Sequence, residues 1–75
     1  MMYAWCITII LKCSGFVLKC EYEGPENNSM DVAMKIFSGK TANDVIGLRA
    51  YKAAKQVFVR ADEIAAYDIC VKETD

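Results

Sequence analysis

The chain has 75 residues, room for one domain spanning 1–75 and no more. Nine Lys and Arg stand against ten Asp and Glu, a net charge of −1, which supplies no overall basic face for binding nucleic acid by counterion release. No histidine is present, so Ser-His and Cys-His catalysis and histidine-metal sites are excluded.

The hydrophobic share is 55%, above the roughly 45–50% usual in soluble chains. A chain this short buries only about 60% of the surface that its unfolded form exposes. The surplus points to a subunit interface, most simply a two-fold homodimer. Cys6, Cys13, Cys20 and Cys70 offer no C-x2–4-C pair, the closest spacing being six intervening residues, and no metal site follows. They are expected to be reduced and to pack as small hydrophobes. Met1 to Leu11 is apolar but lacks the positive flank and small-residue cleavage site of a secretory leader. Lys12 interrupts it well short of the ~20 residues of a membrane helix. A cytoplasmic protein with no membrane association is expected.

The first third reads as a hairpin. Ile7, Ile9 and Leu11 alternate with Thr8, Ile10 and Lys12, and beyond Ser14-Gly15 the residues Phe16, Leu18, Cys20 and Tyr22 alternate with Val17, Lys19, Glu21 and Glu23. A two-residue turn at Ser14-Gly15 sets Leu11 opposite Leu18, Ile9 opposite Cys20 and Ile7 opposite Tyr22. One face is then apolar and the other mixed, and Cys13 lies too far from Cys20 for a disulfide. Gly24-Pro25 ends the hairpin. The run 26–29 offers N-cap residues ahead of a helix over roughly 27–38, with Asp31 near its positive end. Met30, Ala33, Met34 and Phe37, widened by Ile36, form the stripe expected to cover the hairpin. Ser38-Gly39 closes the helix.

Residues 44–56 admit two readings, a strand or a helix starting at Asn43. The strand is preferred because a loop at 52–55 places Leu48 opposite Val59, Ile46 opposite Ala61 and Ala50 opposite Val57, an all-apolar face. Gly47 suits a bulge. Gln56 to Ala61 is a strand, Asp62-Glu63 a turn and Ile64 to Val71 a last strand, with a frayed tail from Lys72 to Asp75. The fold class is therefore α+β, ββαβββ, an antiparallel sheet with one helix packed on it. Curled, it would be a small SH3- or Sm-like barrel; open, a two-layer sandwich.

Few residues suggest chemistry. Glu21/Glu23 and Asp62/Glu63 read as a solvated strand face and a turn, and Gly39-Lys40-Thr41 lacks the glycine and strand that precede a phosphate loop. No enzyme and no cofactor are implied. On the second hairpin Arg49 is expected opposite Phe58, Tyr51 opposite Gln56, and Arg60 beside Phe58. Arginines around aromatics can stack a base and hold a phosphate, or simply pack across strands. Tyr3 and Trp5 are expected as a lid over the core or as interface anchors. The expected function is a non-catalytic oligomer that binds a protein partner, as an inhibitor or accessory factor. The alternative is a binder of a nucleotide or short single-stranded nucleic acid through Arg49, Tyr51, Phe58 and Arg60.

Overall fold

Two runs of alternating side chains build two hairpins. In the computed structural model, which describes residues 1–72, β1 (Tyr3–Leu11) and β2 (Val17–Gly24) form the first. The second consists of β3 (Val45–Ala50) and β4 (Gln56–Arg60). Helix α1 (Ser29–Ile36) connects the hairpins, and β5 (Ile64–Val71) follows a 3-10 turn at Ala61–Glu63. The α+β order ββαβββ is the one expected, and 45–50 is strand, not helix. All strands pair antiparallel in the order β4-β3-β2-β1-β5.

The sheet is not closed into a barrel, but it must coil. Laid flat, four strand spacings would separate β4 from β5 by about 19 Å. A three-residue turn joins them, and the four steps from Arg60 to Ile64 reach at most about 14 Å. Two backbone bonds pin that turn between the hairpins: Ala61 N–H to the Asp44 carbonyl and Lys12 N–H to the Glu63 carbonyl, both 2.8 Å.

Both hairpins differ from expectation by two residues, for identifiable reasons. Ile9 pairs with Leu18, Ile7 with Cys20 and Trp5 with Tyr22. Leu11 N–H donates to the Phe16 carbonyl at 2.9 Å, so the loop is the four residues 12–15. A two-residue turn of the I′ type would force Ser14 as well as Gly15 to positive φ; the longer loop needs only Gly15, at +70°. In the second hairpin Ile46 pairs with Val59, Leu48 with Val57, Gly47 with Phe58 and Arg49 with Gln56. Ile46 thereby meets the buried Val59, while Ala61 is left to begin the 3-10 turn. A slip of two leaves every side chain on its expected face.

The core fills the concave side of the sheet. Trp5, Ile7 and Ile9 of β1, Cys20 of β2, Ile46 and Leu48 of β3, and Val32 and Ile36 of α1 form one buried cluster. The helix phase differs from the expected stripe. Val32 and Ile36 face inward, one turn apart, while Met30 and Met34 are 71% and 60% exposed. Asn28 caps the helix by accepting the Asp31 N–H at 2.9 Å, and its own amide donates to the Asp31 carboxylate at 3.0 Å. Beyond α1, Phe37 stacks on Tyr67 of β5 with centroids 3.9 Å apart, which ties the helix end to the sheet edge.

Trp5 is a core lid. At 5% exposure it has almost no surface to offer a partner, which corrects its expectation as an interface anchor; Tyr3 remains 38% exposed. The Trp5 indole N–H donates to the Glu26 carbonyl at 3.2 Å, and the Tyr22 hydroxyl donates to the Glu26 carboxylate at 2.8 Å. These two bonds clasp the loop after β2 onto the hairpin. A Cβ at Gly24 would come within 2.5 Å of both the Tyr22 hydroxyl and the Glu26 carboxylate. Gly24→Ala is therefore expected to cost about 1–3 kcal/mol in urea unfolding; an unchanged midpoint would show that the clasp bears no load.

No helix among the described residues is long and apolar enough to cross a membrane. The expected fraying concerns 72–75. Lys72 N–H is bonded to the Ala4 carbonyl at 3.0 Å, and 73–75 lie outside the described residues.

Candidate functional site

The convex side of the sheet carries the charged and mixed positions. Pairing places Gln56, Arg49, Glu21, Cys6 and Cys70 in one row across all five strands. In the next row Gly47 lies opposite Phe58 and Ala4 opposite Glu23. Small residues in one row beside long ones in the other leave a hollow. Ala4 and Gly47 lie in a depression of about 240 Å³, lined also by Glu21, Glu23, Arg49, Gln56 and Lys72. Gly47 forms no bulge; it pairs in register, and its missing side chain makes room for Phe58, whose ring would stand 3.0 Å from a Cβ there.

Glu21 organises one wall of this hollow. Its carboxylate accepts from the Lys72 ammonium at 2.8 Å and lies 3.6 Å from Arg49 Nε. The side chain is only 14% exposed, against 29% for Lys72 and 64% for Arg49. The Lys72 hydrogen bond is the largest influence holding the Glu21 carboxyl below its ordinary value; the Lys52 N–H and the charges of Lys72 and Arg49 add to it, and desolvation opposes. The same bond raises Lys72 above the ordinary lysine value. A carboxyl depressed on folding contributes stability that is present above its unfolded pKa and lost as pH falls through the folded one. Lys72→Gln is therefore expected to move the Glu21 titration, followed by carboxyl NMR, upward toward the ordinary glutamate range. A titration that stays put would assign the depression to other groups.

Beside this wall, Tyr51 sits among cations. The ammonium groups of Lys19, Lys52 and Lys72 lie 5.7, 5.4 and 5.8 Å from its ring centroid, within the range of cation–π attraction. Tyr51 has left the ladder with β4, and its N–H donates to the Lys19 carbonyl at 3.0 Å. The loop is consequently 51–54, closed by Ala50 N–H on the Lys55 carbonyl at 2.9 Å.

The four residues expected to form one recognition face are divided among three places. Arg49 pairs with Gln56, not Phe58, and lines the hollow. Tyr51 joins the lysines. Phe58, 69% exposed, and Arg60 line a second hollow of about 350 Å³ with Leu11, Leu18, Val59 and Glu63. The Arg60 guanidinium grips the Asp62 carboxylate at 3.0 and 2.7 Å and lies 4.0 Å from Glu63. This fork holds the Asp62 carboxyl low and the Arg60 pKa high. Arg60 is thus committed locally. Lys19 and Glu21 share a strand face by spacing alone, but no spacing brings Lys72 to them, because Lys72 and Glu21 meet only through the pairing of β1 with both β2 and β5.

Among the described residues, no group of three or more His, Cys, Asp or Glu side chains is arranged to hold a metal. Comparison with known protein families, with curated proteins and with solved structures finds no match for this chain.

Proposed function

We propose that this domain is a non-catalytic interaction protein that self-associates and engages a protein partner, with the β5 edge as its first contact surface. The observation that carries the reading is the character of that edge. Strand β5 has eight residues, Ile64–Val71, at the margin of the sheet, and Asp68 is its only charge. The Lys72–Ala4 bond fixes the alternation, so Ala66, Asp68 and Cys70 turn their backbone groups toward β1. Tyr67, Ile69 and Val71 direct theirs outward. The opposite edge, β4, is five residues long and ends in Arg60, with Lys55 just before it. Short, charged edges resist strand addition, whereas long apolar ones invite it.

The apolar inventory supports the same reading. Of the twelve large hydrophobics exposed among the described residues, Tyr67 and Val71 lie on β5. The test is sedimentation of the protein at tens of micromolar with Val71→Lys beside it. Val71 is 67% exposed, so lysine there blunts the edge without disturbing the core. The expected result is a dimer that becomes monomeric in the variant, with an unchanged melting temperature. A monomeric wild type would sink the reading.

The lysines around Tyr51 favour a second reading, a binder of nucleotides or short single-stranded nucleic acid at that ring. Binding should weaken with salt. Tyr51→Ala should abolish it and Arg60→Ala leave it intact, since Arg60 is held by Asp62. The reverse pattern, or no binding, removes this alternative.

A further inference from the structure

On the convex face, Cys6 of β1 lies directly opposite Cys70 of β5. The Lys72 N–H bond to the Ala4 carbonyl, two positions along, marks Ala4/Lys72 as a hydrogen-bonded pair. By the two-residue alternation of an antiparallel ladder, Cys6/Cys70 is one too. Such pairs hold their Cα atoms about 5.5 Å apart, inside the 4.4–6.8 Å window of disulfides. Both thiols are free, Cys6 half-buried and Cys70 exposed. The remaining cysteines are placed elsewhere. Cys20 is buried on the concave side, and Cys13 is exposed in the first hairpin loop.

We infer that Cys6 and Cys70 form a reversible disulfide site, oxidised by low-molecular-weight disulfides of the glutathione class. The exposed Cys70 reacts first. Its thiol gives up a proton, and the thiolate attacks one sulfur of the small disulfide, forming a mixed disulfide and expelling one small thiolate. Cys6 then loses its proton and attacks the Cys70 sulfur, expelling the second small thiolate. The two protons end on the two released thiols. Two protein thiols are oxidised and one small disulfide is reduced to two thiols, so the exchange balances.

The same geometry makes the bond easy to reopen. Side chains of a hydrogen-bonded pair stand farther apart than those of the neighbouring pair type, whereas a disulfide draws the Cβ atoms to about 3.8 Å. Local strain of this kind favours reduction. Burial, then the neighbouring Cys6 and Asp68, push the Cys70 thiol up, so the exchange quickens at mildly alkaline pH.

The experiment uses the full chain in a Cys13→Ser background, which removes the competing exposed thiol. It is incubated at mildly alkaline pH with glutathione disulfide, and then with excess reduced glutathione. Intact mass should fall by two hydrogens, peptide mapping should join Cys6 to Cys70, and reduced glutathione should reverse the change. Because the bond encloses nearly the whole chain, the oxidised form should melt higher by roughly 5 °C or more. Adding Cys6→Ser should arrest the reaction as a stable glutathione adduct on Cys70. A persistent adduct on Cys70 with Cys6 present, a bond formed only between chains, or thiols that stay reduced would overturn the inference.

Discussion

Trp5→Ala is expected to destabilise the protein by about 3–5 kcal/mol, the range for deleting a buried aromatic ring. Small domains hold only about 5–15 kcal/mol in total, so the melting temperature should fall by more than roughly 12 °C. Two losses combine. The ring is 5% exposed and packs in the central cluster, and its indole N–H is one of the two bonds that hold Glu26 against the hairpin. Trp5→Phe separates them, since it keeps most of the packing and removes the donor. It should cost about 1–2 kcal/mol, the value of a hydrogen bond whose acceptor is left partly buried. Trp5 is the only tryptophan, so wild-type unfolding is followed by fluorescence, and the variants need circular dichroism in urea. A Trp5→Ala penalty below about 1 kcal/mol would mean that the ring is not part of the cooperative core.

What the sequence revealed, and what it hid, follows from the range of the forces involved. Alternation along Ile7–Leu11, Leu18–Tyr22 and Val57–Val59 is a local signal, and it fixed which side chains face inward; Phe16, expected with them, precedes β2 and is 68% exposed. The partner of each residue depends on turn geometry, and there the two-residue periodicity is blind: Ile9 opposite Leu18 and Ile9 opposite Cys20 bury the same face. What decided between them was the dislike of Ser14 for positive φ, a property of one residue outside the pattern. The preferred strand at 45–50 was legible only as a consistency with Val57 and Val59, and the structure has it.

The candidate site was legible in its parts and not in its assembly. Arg49, Tyr51, Phe58 and Arg60 are as near in sequence as expected. Yet Arg60 had a closer partner in Asp62, two residues on, and Tyr51 left the ladder when the loop moved to 51–54. The carboxylate that engages Arg49 comes from β2, and the ammonium that engages the same carboxylate follows β5. No spacing within a single strand encodes that meeting. It arises because β1 stands between β2 and β5, and the coil of the sheet turns the chain back on itself.

The helix gives the second large effect, and it turns on a single question of phase. Sequence spacing favoured Met30, Ala33, Met34 and Phe37 as the inward stripe, whereas Val32 and Ile36 are buried and the two methionines are exposed. Large side chains weigh heavily in any hydrophobic pattern, but Met is unbranched and easily left in solvent, while compact Val32 and Ile36 fit against Ile7 and Ile9 in the concave side. The same substitution at two sites tests this. Val32→Asp places a carboxylate at 0% exposure, which should cost more than about 3 kcal/mol because no partner is available there. Met34→Asp, at 60% exposure, should stay within roughly 1 kcal/mol, most of it the lower helix propensity of Asp. Val and Asp have similar helix propensity, whereas Met→Asp loses a few tenths of a kcal/mol, about the spread between those groups, so a larger penalty at Val32 comes from docking. An eight-residue helix is too short to persist alone in water. Val32→Asp should therefore also remove helical circular dichroism under conditions in which the strands still fold. Equal penalties at the two positions, or a larger one at Met34, would place the wrong face of α1 against the sheet.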